Sequence, residues 1–159
     1  MLLGVLTVSD RCSRGEATDT AGPAVEEMLR AQWPEAAIVG ALLPDEEEQI
    51  AVQLRQWCEQ GAALILTAGG TGLGPRDRTP EATRRVIERE APGFAELMRL
   101  KGSERTPYSW LSRAVAGMRG SSMIVNLPGS LRGATESLEA ILPLLCHSVD
   151  VAAGGQRHP

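Results

Sequence analysis

LILTAGGTGLGPRDRTPE, Leu64 to Glu81, carries an apolar run into a turn containing Gly69, Gly70, Gly72 and Gly74. Arg76, Asp77 and Arg78 follow. Thr79-Pro80-Glu81 then reads as a helix start, with Thr79 as its cap and Pro80 in the first helical position. A strand that enters a glycine-rich turn and feeds a helix suits an anion, because unpaired backbone N–H groups and the helix dipole both favour negative charge there. The loop is not a P-loop, since it lacks the lysine of GxxxxGK[ST]. It is not the dinucleotide fingerprint either, because Pro75 stands where a glycine would be needed.

Outward from this stretch, strand and helix alternate. Leu2 to Val8 and Ala36 to Leu43 are apolar runs of strand type, as is Ala62 to Thr67. Between them, Ala21, Val25, Met28 and Leu29 mark one helical face, and Ile50, Leu54, Trp57 and Cys58 mark another. The helix after Thr79 is expected to carry Ala82, Val86 and Ile87 and to break at Pro92-Gly93. A short helix around Phe94 to Leu100 follows. Ala114 to Gly117 and Ser122 to Val125 suggest a hairpin, and Asn126 to Ser130 the next turn. Leu131 onward gives a final amphipathic helix containing Pro143. The fold class expected is α/β: a three-layer α/β/α sandwich around a mostly parallel sheet with one antiparallel strand or hairpin. Residues 1–152 are read as one domain and 153–159 as a frayed tail.

Ligands in such sheets bind beyond the C-terminal strand ends. Four polar clusters are expected to meet there: Ser9-Asp10, Asp45, Gly69 to Asp77, and Asn126 to Ser130. Asp77, at the mouth of the glycine loop, reads either as a surface carboxylate paired with a neighbouring arginine or as a Mg²⁺ ligand, with Asp45 as its partner. Asp45 alone reads better as a helix cap. Ser112 has no His or Lys near it in sequence, which argues against a serine nucleophile.

Composition narrows the function classes. The 159 residues carry a net charge of -4 and are 3% aromatic. That acidity argues against a nucleic-acid binder. Cys12, Cys58 and Cys146 are odd in number and far apart, so neither a disulfide framework nor a zinc site is indicated. No apolar stretch approaches membrane-spanning length, and a cytoplasmic location is the default expectation.

Several segments resemble the molybdopterin adenylyltransferase family of molybdenum-cofactor biosynthesis. They are LTVSDRCSRGEATDTAGP (Leu6 to Pro23), LLPDEEEQI (Leu42 to Ile50), TAGGTGLGPRDRTPEAT (Thr67 to Thr83), APGFAELMR (Ala91 to Arg99), LSRAVAGMRG (Leu111 to Gly120) and IVNLPGSLRGATESLEAILPLL (Ile124 to Leu145). They occur in the family's order and resemble its stand-alone bacterial form. The resemblance implies transfer of AMP from Mg-ATP to the terminal phosphate of molybdopterin, with release of pyrophosphate. It implies catalytic roles for Asp45 and Asp77, which would also hold Mg²⁺. It places Ser112 in the substrate-binding set; the other expected substrate- and ATP-binding residues, Ser9, Asp10, Gly69, Gly70, Thr71, Gly72, Asn126, Pro128, Gly129 and Ser130, come from the polar loops at the strand ends. It further implies a homotrimer and hand-over to a molybdate-inserting protein. Arg78 departs from the small apolar residue common there. A non-catalytic pterin-binding paralogue and a nucleotide phosphohydrolase using the same cleft are the alternatives.

Overall fold

The computed structural model describes residues 1–152 and 154, so most of the predicted C-terminal tail lies outside the described residues. Six strands form one sheet in the order β2-β1-β3-β6-β5-β4. β1 (Leu2–Val8), β2 (Ala37–Leu43), β3 (Ala62–Ala68) and β6 (Ser122–Leu127) run parallel, in a register that places Thr7 beside Leu42 and Ala68, and Thr67 beside Asn126. β5 (Ala116–Arg119) pairs antiparallel with β6, as the hairpin reading expects. A two-residue strand, β4 (Arg89–Glu90), adds a further antiparallel edge that the sequence pattern does not announce.

Alternation along the strands builds two apolar layers. Leu3, Val5, Leu64, Leu66, Met123 and Val125 face α2 (Ala21–Gln32), α5 (Pro92–Ser103) and α6 (Leu131–Ala152). Leu6, Val8, Ile65 and Ile124 face α3 (Glu47–Glu59) and α4 (Thr79–Arg84). The three-layer sandwich is therefore as expected. Among the described residues, no helix is long and apolar enough to cross a membrane.

Two helix starts differ from expectation. Glu46, not Asp45, occupies the cap position of α3, and it makes no side-chain cap bond. Asp45 is engaged elsewhere: its Oδ2 accepts the Asp10 N–H at 2.9 Å. Arg78, not Thr79, stands at the cap of α4, and Thr79 is already helical and fully buried. α4 also stops at Arg84, because the chain turns there to reach β4. Val86 still packs in the core, from the turn rather than from a helix.

Strand order reverses between β1 and β3. β1 leads through α2 to β2 on one side, and β3 leads towards β6 on the other. Crevices in open α/β sheets lie at such reversals, outside the carboxyl ends of the strands. β1 and β3 end in Ser9-Asp10 and in the glycine loop respectively, so the fold puts both at the crevice.

Candidate active site

Ser9 caps α1 (Asp10–Ser13), its hydroxyl accepting the Cys12 N–H at 3.2 Å. Asp10 and Asp45 then bracket each other. The Asp10 N–H donates to Asp45 Oδ2 at 2.9 Å, and the Asp45 N–H donates to Asp10 Oδ1 at 3.0 Å. This ties the ends of β1 and β2 together. Arg76 reaches over from the glycine loop to Asp10 at 3.0 and 3.1 Å and to Glu46 at 2.8 Å. The Arg76 hydrogen bond holds the Asp10 carboxyl below the usual range. Burial raises that of Asp45, and the like charges of Asp10 and Asp77 add to the effect.

The glycine loop is built from its carbonyls. Gly70 O accepts from Thr79 N at 3.1 Å and Thr71 O from Arg113 N at 2.9 Å. The Arg113 guanidinium takes Gly72 O and Asp77 O, each at 2.7 Å, and is also bonded to the Glu81 carboxylate. With the carbonyls held from behind, none of the hydrogen bonds among the described residues uses the N–H groups of Gly70, Thr71 or Gly72. Successive free N–H groups form an anion-binding concavity. Gly69 does not share in it, because its N–H donates to Leu127 O at 3.1 Å.

Asp77 does not pair with its neighbouring arginines, which go to Asp10, Glu46 and Glu47. Its Oδ2 accepts the Gly74 N–H at 2.7 Å. A Cβ on Gly72 or Gly74 would lie 2.9 or 2.8 Å from that oxygen, so the carboxylate would have to shift to admit one. Asp45 Oδ1 sits 2.9 Å from the point a Cβ on Gly70 would occupy, and the Thr79 hydroxyl crowds the same point. Thr79 Oγ1 is buried and has no partner among the described residues.

A cavity of about 300 Å³ opens beside the loop. Thr71, Gly72, Ser112, Pro128 and Ser130 line it, so the fold brings together these five predicted residues from three separate loops. Ser112 ends the 3₁₀ helix Pro107–Leu111, and its hydroxyl accepts the Ala114 N–H at 3.3 Å. Ser130 opens α6, its Oγ accepting the Gly133 N–H at 3.1 Å. Gly129 packs on the loop, the point for its Cβ lying 3.0 Å from Gly69 Cα.

Asn126 is placed differently from the turn that the sequence suggests. It lies within β6 and is 0% exposed. Its Oδ1 accepts the Val115 N–H at 3.1 Å, and its Nδ2 donates to Thr67 Oγ1 at 3.0 Å and Thr83 Oγ1 at 2.8 Å. With both ends of the amide committed, it ties together β3, α4 and the residue that leads into β5, and it is not among the residues lining the cavity. Asn126→Ala leaves three buried groups unpaired and should cost about 2–4 kcal/mol. Urea unfolding measures this, and a loss below about 1 kcal/mol would show that the network is dispensable.

Arg113 is the residue that sequence reasoning passes over. A signal was present: an arginine between Leu111-Ser112 and the buried run Ala114-Val115-Ala116 is poorly placed to be a solvated surface charge. It is half-buried against Glu81. Burial works to raise the Glu81 carboxyl, but the hydrogen bond and charge of Arg113 outweigh it and hold that group below its usual range.

The chain is similar to proteins of molybdenum-cofactor biosynthesis. The chain is 39% identical over 154 residues to the molybdopterin adenylyltransferase of Helicobacter pylori strain J99, covering 96% of this chain and 88% of that protein. It is 40% identical over 147 residues to the molybdenum cofactor synthesis protein cinnamon of Drosophila melanogaster, covering 92% of this chain and 24% of that protein. It spans 22% of Dictyostelium discoideum gephyrin, at 37% identity. Among solved structures, the molybdopterin biosynthesis enzyme MoaB of Thermus thermophilus superposes with a TM-score of 0.88 at 54% identity, over 96% of both chains. MogA superposes with a TM-score of 0.91 at 32% identity, over 96% of this chain and 99% of that one. Residues 4–147 match the family described as probable molybdopterin binding domain. The chain belongs to that family of molybdenum-cofactor biosynthesis proteins.

Proposed function

We propose that this protein is a molybdopterin adenylyltransferase, transferring AMP from ATP to the terminal phosphate of molybdopterin and releasing pyrophosphate. The observation that carries the reading is the glycine loop. Its carbonyls are tied back by Thr79 and Arg113, the N–H groups of Gly70, Thr71 and Gly72 are left unused among the described residues, and Thr71 and Gly72 line the cavity. Ser112 and Ser130 line the same cavity, and α6 begins there with its dipole favouring an anion. Two phosphate-bearing substrates need this kind of surface. An oxygen of the molybdopterin phosphate forms the new bond to the α-phosphorus of ATP, and the bond from that phosphorus to pyrophosphate breaks. The attacking phosphate is ionised at neutral pH, so no general base is required. The work of the protein is alignment and charge neutralisation.

The residues present fit Mg²⁺. Burial chiefly raises the Asp45 pKa, the like charge of Asp77 adding to it, and the orphaned Thr79 hydroxyl adjoins Asp45 across Gly70. One or two carboxylates with substrate phosphates are the usual setting for this ion. When bound, Mg²⁺ would offset phosphate charge. Asp45 and Asp77 would hold it, with the second shared between metal and loop. The remaining elements of the proposal are a cytoplasmic homotrimer that passes its product to a molybdate-inserting protein.

The test is pyrophosphate release from Mg-ATP with and without molybdopterin. Release that requires molybdopterin supports the proposal. Pterin binding without turnover would make the chain a carrier, and nucleotide consumption without pterin would make it a phosphohydrolase.

Asp45 also gives a stability signature. Its folded pKa is raised above the ordinary 3.8, so the folded chain takes up its proton more readily than the unfolded one. The resulting contribution favours folding at low pH and is lost as pH rises through the folded pKa. Asp45→Asn should therefore raise Tm at pH 7, with the gain shrinking as pH falls through that value. A variant that is less stable at pH 7 would contradict the assignment.

A further inference from the structure

Two short charged runs lie against each other at the crevice. Asp45-Glu46-Glu47 leads from β2 into α3, and Arg76-Asp77-Arg78 leads from the glycine loop into α4. The flanking residues pair in order. Arg76 donates to Glu46 at 2.8 Å, and Arg78 donates twice to Glu47 Oε2, at 2.6 and 3.0 Å. Asp45 and Asp77 are left over, and neither forms an ion pair among the described residues. They carry the same sign, and the charge of Asp77 bears on Asp45. Without the flanking pairs, that repulsion would push the two runs apart.

Glu47 holds more than Arg78. Its Oε1 accepts from Arg85 at 3.3 Å, and Arg85 continues to Glu48 at 2.6 Å. Arg78 stands just before α4 and Arg85 just after it. One carboxylate in the first turn of α3 therefore fastens both ends of α4. A helix of six residues is not stable by itself, so its position follows from what holds it. Asp77 is one residue before Arg78, and its direction follows that fastening. The Arg78 hydrogen bond in turn holds the Glu47 carboxyl below its usual range, which keeps the pair charged. Arg78 is placed for this work rather than for substrate: its Nε and Nη2 are both committed to Glu47, and it does not line the cavity.

We propose that Arg78 and Glu47 are positioning residues: their ion pair straps the Asp77 segment to the Asp45 segment and keeps the two carboxylates on one side of the crevice. The strap is a weak source of stability, because the Arg78 side chain is 46% exposed and such pairs are screened by solvent. Its effect is geometric, since a displacement of about 1 Å in a site can cost about 100-fold in rate. The role in turnover rests on the proposed adenylyl transfer, whereas the hold on Asp77 does not.

The test compares Arg78→Met, Glu47→Ala, Arg78→Lys and the Met–Ala double variant of the full chain. The first readout is amide hydrogen exchange by NMR, without metal or substrate. The Gly74 N–H is held by Asp77 Oδ2 and reports on that carboxylate. The Gly22 N–H, held by Asp19 Oδ1, is the control for general loosening. Gly74 exchange should quicken about 3-fold or more in Arg78→Met and in Glu47→Ala, with Gly22 unchanged and Tm within about 3 °C of wild type. The second readout is molybdopterin-dependent pyrophosphate release. Its kcat should fall about 5-fold in each single variant, and the double variant should fall no further than Glu47→Ala alone. Arg78→Lys should recover part of both losses. A phosphate contact by Arg78 would behave differently: Arg78→Met would raise the KM for ATP and Glu47→Ala, by releasing the arginine, would lower it. Opposite effects of that kind, unchanged Gly74 exchange, or equal quickening of Gly74 and Gly22 overturns the strap. If the wild type releases no pyrophosphate, the proposed function falls, and Gly74 exchange still decides whether Arg78 and Glu47 hold Asp77.

Discussion

Asp77→Asn is expected to lower molybdopterin-dependent turnover about 100-fold while leaving the folded chain within about 1 kcal/mol of wild-type stability. The two halves of this expectation come from different atoms. Structurally, Asp77 is a loop closer: Oδ2 accepts the Gly74 N–H at 2.7 Å, and its carbonyl is held by Arg113. Asparagine is the same size, keeps an acceptor oxygen and keeps the main-chain carbonyl. The loop and its free N–H groups should therefore survive. What the substitution removes is one negative charge from the acidic side of the crevice. That charge has no arginine of its own, since Arg76 and Arg78 are committed to Asp10, Glu46 and Glu47. It is thus available to a divalent cation in a way that Asp10 is not. Steady-state pyrophosphate release and thermal unfolding on the same preparation separate the effects. Wild-type turnover would remove Asp77 from the metal-organising role, whereas a collapse in stability would mean that the loop depends on the charge itself.

The loops that meet at the crevice were legible in the sequence because they depend on local signals. The end of an apolar run, a cluster of glycines and a helix start each declare themselves within a few residues. What was not legible is the partnering. Asp45 carries every local mark of a helix cap, yet Asp10, 35 residues away, claims its carboxylate. The local preference is weak and the bracket between two strand ends is cooperative, so tertiary geometry prevails. Thr79 fails as a cap for a related reason: its N–H is used to hold Gly70 O, which draws the residue into the helix and buries its hydroxyl. Asn126 looks like part of a turn because Asn-Leu-Pro-Gly has turn composition. Its register opposite Thr67 makes it a strand residue with a fully used amide. Arg113 is the hardest case. Its partners Gly72, Asp77 and Glu81 lie more than 30 residues away, and no local pattern says that an arginine will hold a loop by its carbonyls.

Gly69→Ala should have the largest effect on folding of any single substitution in the loop, at about 3 kcal/mol or more. The position is constrained in three independent ways. Its backbone has φ of +112°, where an L side chain is strained. A methyl group there would collide with the Val8 carbonyl oxygen, a main-chain atom in a buried strand that has no rotamer to yield. Its own N–H reaches Leu127 O at 3.1 Å, and Gly129 packs on its Cα. Gly69 thus sits where the ends of β1, β3 and β6 converge, and relieving the clash means separating strands rather than moving a loop. The clash falls on the Val8 backbone, whereas the unused N–H groups begin at Gly70. If the variant can be folded at low temperature, the phosphate-binding surface should still be present, and turnover should fall with the folded fraction rather than faster. Gly70→Ala provides the contrast. Its φ is +66° and its methyl would press on the Thr79 hydroxyl and Asp45 Oδ1, so it should lose more activity than stability. Unfolding midpoints and pyrophosphate release for the two variants test this division. Equal stability of Gly69→Ala and wild type would show that Val8 and the loop can part without cost, and the convergence of three strand ends would then not be what holds the crevice in shape.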